Sequence, residues 1–249
     1  MTNVFITPEQ IRSEQLIITG EDAMHLAGVL RLAPGDYFSA LDGTGMQYKA
    51  RIVSSRPDEV IGVIEERGMR ATEPRLRLTL GQALPKADRM EQLIKQGTEL
   101  GMASFQPLLT ERCIARPKDS GASAREARWQ RIALEAARQS GRAVVPQVQP
   151  VCKWREIADS FPRYGLVLLA WENERVNDLK RILAGYPEPS QIMILIGPEG
   201  GLTLREAQSA REAGAIPVSL GPRILRTETA GLVLGSAIFY HYDELGVRA

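Results

Sequence analysis

The spacing of apolar residues changes character along the chain. Over residues 1–72, short alternating runs at 37–41, 48–53 and 60–64 predict strands. Asp42-Gly43-Thr44-Gly45 is a turn signal between the first two. One helix interrupts them. Thr19 can cap it, Asp22 lies three residues on, and Ala23, Leu26, Ala27 and Leu30 form its apolar stripe. Pro34-Gly35-Asp36 ends this unit. Several short strands and a single helix predict a small barrel. Residues 69–74 are polar with a proline and mark a boundary.

From residue 75 to 249 strands and helices alternate. Leu76, Leu78 and Leu80 have strand spacing. Asp88 and Glu91 have capping-box spacing, Met90, Leu93, Ile94 and Leu100 form a helical stripe, and Gly101 is a stop. Residues 104–110 read as a strand. Residues 124–140 read as a helix with Trp129, Ile132, Ala133 and Ala136 on one face and Gly141 at its end. The unbroken apolar runs at 165–170 and 191–196 predict strands buried on both faces. Thr203 and Glu206 form a second capping box, 218–220 a brief strand and 230–242 a final helix. This pattern predicts an α/β domain with a parallel sheet.

Composition adds limits. At 249 residues and 44% hydrophobic, the chain can build its cores without staples, and it is neither disordered nor a disulfide scaffold. Cys113, Cys152, His25 and His241 are too scattered for a four-ligand zinc site, so no metal is expected. Both thiols are expected to be inert, and two free cysteines suit a reducing cytoplasm. His25 is expected to pack on the first helix, and His241 to be structural or at a dimer face. No basic stretch followed by an apolar run opens the sequence, so no secretory leader is expected.

The net charge of +1 argues against bulk nucleic-acid binding, but it hides segregation. Residues 1–74 carry 7 basic and 11 acidic side chains, residues 75–154 carry 14 and 7, and residues 155–249 carry 10 and 12. The surplus in the middle includes Arg112, Arg116, Lys118, Arg125, Arg128, Arg131, Arg138 and Arg142. It is either a solvated helix face or a phosphate-contact zone.

Two loops carry the sharpest chemistry. The strand at 193–196 runs into Gly197-Pro198-Glu199-Gly200-Gly201. Ligands of open α/β sheets bind beyond the carboxyl ends of strands, and glycines let backbone approach them. Neither dinucleotide nor P-loop spacing is present, and Glu199 would repel a phosphate. A neutral or cationic ligand suits the loop better. The second loop runs Gly221-Pro222-Arg223-Ile224-Leu225-Arg226-Thr227-Glu228-Thr229-Ala230. Thr227 or Thr229 could serve only as an N-cap, and Arg226 and Glu228 only as a surface pair. Two glycine-proline loops at two strand ends nevertheless predict one shared pocket.

In this order and spacing the loops resemble the carboxyl-terminal motifs of the SPOUT methyltransferases, and more narrowly the ribosomal RNA small subunit methyltransferase E family. Residues 25–32, 90–101, 107–113 and 129–142 also resemble family segments, so the likeness covers nearly the whole chain. Arg138 departs from it, since relatives often carry glutamate there. The resemblance implies a PUA-like amino-terminal β-barrel over 1–72 for RNA docking. It implies a SPOUT-type α/β methyltransferase domain with a trefoil knot over 75–249, in a cytoplasmic homodimer. It implies S-adenosylmethionine as methyl donor, and N3 of a uridine in the decoding region of 16S rRNA, free or in the assembled small subunit, as acceptor.

Carried onto this sequence, the family pocket would use Leu169, Ala170, Ile196, Gly197, Pro198, Glu199, Gly200, Leu220, Gly221, Leu225 and Thr229. Arg226 would stabilise charge on the uracil oxygens, and Glu228 would take the N3 proton or merely orient Arg226. Arg31, Lys86, Arg89, Arg112, Arg138 and Arg142 would meet RNA. Alternatives are a SPOUT enzyme acting on ribose 2′-hydroxyl or transfer RNA, and a non-catalytic RNA-binding assembly protein.

Overall fold

The computed structural model describes residues 3–114 and 122–246. The chain forms two compact units, residues 1–73 with 137–145, and residues 74–136 with 146–249. Residues 137–145, which the sequence reading places in the second domain, belong to the first unit.

The first unit holds β1 (Asn3–Phe5), β2 (Ile11–Arg12), β3 (Gln15–Thr19), α1 (Gly20–Met24), β4 (Tyr37–Leu41), β5 (Met46–Ser55) and β6 (Glu59–Met69). They form one six-stranded mixed sheet in the order β1-β4-β5-β6-β3-β2, in which only β1 and β4 run parallel. Its core gathers Leu16, Ile18, Leu26, Phe38, Ile52 and Val60. Gly62 is required by contact rather than by turn geometry, because a Cβ there would lie 2.6 Å from Phe38 Cε1.

The predicted first helix is shorter and different in kind. After α1 the backbone widens into a π-helical turn over His25–Val29. Thr19 makes no side-chain cap. Ala23 and Leu26 are buried as expected, but His25 is exposed, so it is not a packing residue.

The second unit contains β7 (Arg77–Ala83), α2 (Arg89–Leu100), β8 (Ser104–Leu109), α3 (Ala122–Ser140), β9 (Gln147–Val148) and β10 (Cys152–Lys153). It continues through α4 (Trp154–Ile157), β11 (Leu166–Ala170), α5 (Leu179–Ala184), β12 (Gln191–Ile196), α6 (Leu204–Glu212), β13 (Ile216–Val218) and α7 (Thr227–His241). Every strand pair is parallel, in the order β10-β8-β7-β12-β11-β13 with β9 also on β8. β11 and β12 are buried along nearly their whole length, which explains their unbroken apolar sequence.

Local signals hold at several termini. Gly101 closes α2 and Gly141 follows α3, both with left-handed φ (108° and 71°). The Thr203–Glu206 capping box opens α6, with Thr203 Oγ1 accepting from the Glu206 amide. The Asp88–Glu91 box does not form. Asp88 lacks the extended backbone of a cap, and Glu91 instead accepts from Arg128 Nη2 at 2.8 Å. The last strand ends at Val218 rather than 220, and the last helix begins at Thr227 rather than 230.

Candidate functional site

The carboxyl ends of β7, β11, β12 and β13 lead into the loops that carry the predicted chemistry. β12 ends in Gly197-Pro198-Glu199-Gly200-Gly201. The Gly201 amide closes a turn onto the Pro198 carbonyl at 2.9 Å, with a left-handed φ of 68°. Gly197 lies so near Leu202 that a Cβ would sit 3.1 Å from Leu202 Cγ. The Gly200 carbonyl accepts from Arg112 Nη1 at 3.0 Å.

The second loop meets the first through Thr227. Its hydroxyl donates to the Gly197 carbonyl at 2.6 Å and accepts from Gln82 Nε2 at 2.8 Å. Gln82 is fully buried on β7, and Thr227 is 6% exposed. Thr227 is thus a linker inside the site rather than a cap, a role that nothing in the local sequence signals. The N-cap position is held by Arg226, which makes no side-chain cap.

Arg226 is exposed and extended at the entrance to α7, and its carbonyl accepts the Thr229 and Ala230 amides. It does not pair with Glu228. Glu228 Oε2 instead lies 3.5 Å from Arg89 Nη1, which also donates to Glu199 Oε1 at 3.0 Å. Glu199 Oε1 accepts the Lys86 amide as well, at 3.0 Å. One guanidinium at the start of α2 therefore meets both the loop after β12 and the first turn of α7.

The remaining predicted pocket residues sit at these strand ends. Leu169, Ile196 and Pro198 are buried, Ala170, Leu220 and Leu225 are half-buried, and Gly221 and Thr229 are exposed. Gly221 has a φ of 98° with open space where a Cβ would stand. Among the described residues, the backbone groups of Leu220 and Leu225 make no hydrogen bond. Unused N–H and C=O groups beside apolar side chains match the edge and face of an adenine ring. The carboxylates of Glu199 and Glu228 stand at these loops, and they suit a cationic ligand better than an anionic one. This donor set fits an adenosine carrying a sulfonium.

The basic residues divide. Arg31 and Lys86 are exposed, with side chains that make no hydrogen bond or ion pair among the described residues. Arg31 has a left-handed φ of 54°. Arg138 bonds Asp22 Oδ2 at 3.3 Å within the first unit. Arg142 is 5% exposed and donates through Nη2 and Nε to Glu73 Oε2 at 2.5 and 3.1 Å. Its charge is met inside the fold, which corrects its assignment as a phosphate contact. Arg116 and Lys118 lie outside the described residues.

Among the described residues, no cluster of histidine, cysteine or carboxylates could hold a metal, and no helix is long and apolar enough to cross a membrane. Burial, then Glu156, pushes the Cys152 thiol up to about 11. Cys113 is buried against the Thr110 hydroxyl at 3.1 Å.

Comparison with known proteins gives the class first. Residues 72–239 match the RNA methyltransferase domain family. Ribosomal RNA small subunit methyltransferase E of Bacillus subtilis is 33% identical over 245 residues, covering 96% of each chain. Its namesake in Synechocystis is 36% identical over 231 residues, covering 92% of this chain and 74% of the other. The crystal structure of ribosomal RNA small subunit methyltransferase E from Neisseria gonorrhoeae bound to S-adenosyl methionine superposes with a TM-score of 0.81 at 33% identity, covering 96% of this chain and 97% of that one. The chain belongs to the ribosomal RNA small subunit methyltransferase E family.

Proposed function

We propose that the protein transfers a methyl group from S-adenosylmethionine to N3 of one uridine in the decoding region of 16S rRNA. The observation that carries this reading is the Thr227–Gly197 bond, which joins the two glycine loops into one site with Arg226 exposed beside it. Whole-length kinship with rRNA small subunit methyltransferases supports the choice of substrate.

When bound, S-adenosylmethionine supplies an electrophilic methyl carbon. Gly197 and Gly200 let backbone close on it, and the free backbone groups of Leu220 and Leu225 hold the adenine edge. Leu169, Ala170, Ile196 and Pro198 supply the apolar wall, with Gly221 and Thr229 at the mouth. Glu199 is fixed by Arg89 and the Lys86 amide, so it shapes the loop and does not take a proton. Uracil N3 becomes a nucleophile on losing its proton, which leaves charge on the flanking carbonyl oxygens. Arg226 stabilises that charge, and Glu228 accepts the proton. The rest of the rate comes from alignment of N3 with the methyl carbon.

The six-stranded unit serves as the PUA-like docking barrel, with Arg31 facing RNA, while Lys86 and Arg112 meet phosphates near the site. The protein works in the cytoplasm as a homodimer. Exposed Val233, Tyr240 and Leu245 on and after α7 support a self-contact there. A trefoil knot in the second unit is part of this reading on the strength of the family kinship. Purified protein, labelled S-adenosylmethionine and small subunits lacking the modification provide the test. Label in N3-methyluridine is the expected result. Label in ribose or transfer RNA, or no transfer, overturns the reading.

A further inference from the structure

Two unlike charges stand on neighbouring glycines of the loop after β12, and they reach it from opposite sides of that strand. Arg112 lies three residues beyond β8, and Glu172 two residues beyond β11. In the sheet order β12 falls between those two strands. Arg112 packs against Gly200, where an added Cβ would lie 3.3 Å from the arginine's own, and its Nη1 donates to the Gly200 carbonyl at 3.0 Å. Glu172 packs against Gly201, where an added Cβ would collide with its Oε1. The bare backbone of the two glycines is what lets both side chains come so close.

Both side chains are exposed, and among the described residues neither forms an ion pair, with the other or with a third group. A lone anion between them would be repelled by Glu172, and a lone cation by Arg112. A ligand that carries both charges on one carbon satisfies both. That is the chemistry of an α-amino acid, an ammonium beside a carboxylate. The planar fork of a guanidinium matches the carboxylate, and a glutamate accepts from the ammonium.

The place agrees with the cofactor site. Gly197 is three residues before Gly200 on the same loop, and Ala170 two residues before Glu172, and both belong to the pocket proposed above. S-adenosylmethionine joins an adenosine to an amino-acid end. We infer that Arg112 and Glu172 hold that end, the guanidinium on its α-carboxylate and Glu172 on its α-ammonium, an inference that rests on the cofactor proposed above. A guanidinium has more N–H donors than the Gly200 carbonyl and one carboxylate use, so Arg112 keeps a donor for an RNA phosphate as well.

The test is calorimetry on the intact protein with three ligands that share the adenosine. S-adenosylhomocysteine keeps both charges of the amino-acid end, decarboxylated S-adenosylmethionine keeps only the ammonium, and 5′-methylthioadenosine keeps neither. The wild type is expected to bind S-adenosylhomocysteine about twentyfold more tightly than methylthioadenosine, each charge supplying about fivefold, the yield of a well-placed exposed ion pair. Glu172→Gln is expected to weaken the two ammonium-bearing ligands about fivefold and to leave methylthioadenosine at the wild-type value. Arg112→Gln also releases the Gly200 carbonyl, so its effect is read against methylthioadenosine. S-adenosylhomocysteine should lose about fivefold more than methylthioadenosine, and the decarboxylated ligand no more than it. Equal wild-type affinity for S-adenosylhomocysteine and methylthioadenosine overturns the inference and leaves the cofactor standing. Variants that weaken all three ligands alike, or leave S-adenosylhomocysteine unchanged, overturn it too. Wild-type protein that binds none of the three overturns the cofactor reading and this inference together.

Discussion

The Thr227 hydroxyl donates to the Gly197 carbonyl while accepting from buried Gln82, so one side chain orients the two loops of the site. Thr227→Val keeps the shape but strands both partners. It should cost about 1–3 kcal/mol of stability, the usual penalty for orphaned buried polar groups. It should also weaken S-adenosylmethionine binding, and Thr227→Ser should restore most of both. Thermal unfolding and calorimetry read the two effects, and an unchanged cofactor affinity in Thr227→Val would remove Thr227 from the site.

Arg226 is exposed and makes no side-chain cap, so Arg226→Ala should leave stability within about 0.5 kcal/mol. Its proposed work is on charge that appears only during transfer. Turnover should fall by about 10²–10³ with cofactor affinity nearly intact. Single-turnover kinetics on unmodified small subunits separate this from weakened RNA binding.

Arg89 contacts Glu199 and lies near Glu228, which assigns it to loop alignment rather than to a phosphate. Arg89→Ala should depress kcat more than it raises KM for small subunits. The salt dependence of binding should stay near that of the wild type. In a Glu228→Gln background the same substitution should have a smaller effect, because the shared partner is gone. A shallower salt slope with normal kcat would return Arg89 to the RNA contacts.

The Arg142–Glu73 pair should matter for folding and not for chemistry. With Arg142 5% exposed, Glu73→Gln takes away the carboxylate charge that its guanidinium meets at 2.5 Å. A loss of about 2–4 kcal/mol is expected from thermal or urea unfolding, with cofactor affinity retained.

Cys152 should label slowly with a disulfide reagent. Its thiol is pushed up to about 11, so only about one molecule in a thousand is thiolate at pH 8. Between pH 8 and 10 the initial rate should rise about tenfold per pH unit. Fast, pH-independent labelling at that residue would contradict its burial.

The parts of this structure that are written locally are the parts that can be read locally. The strand at 191–196, the Thr203–Glu206 box and the stops at Gly101 and Gly141 each depend on neighbours a few residues away. What the sequence hides depends on distant partners. The last helix begins at Thr227, whose hydroxyl is claimed by Gln82, 145 residues away, and by Gly197, 30 residues away. Asp88 fails as a cap because its backbone is not extended, and its intended box partner Glu91 serves Arg128. The π-turn at 25–29 turns His25 outward, which helical periodicity does not anticipate. At the site, the glycine loops announce themselves by composition. The Arg89 tie and the occupation of Arg142 by Glu73 do not, because charge counted along a chain says nothing about charge already met in space.

Residues 137–145 give the first unit a feature best seen in time. On a chain emerging from its amino terminus, the strands up to residue 69 are available early, but Glu73 has no Arg142 to hold until more than half of the 249 residues have been made. The amino-terminal unit is therefore completed from the middle of the chain. Its first 73 residues, cut free, would keep the sheet while exposing the places where that returning segment belongs.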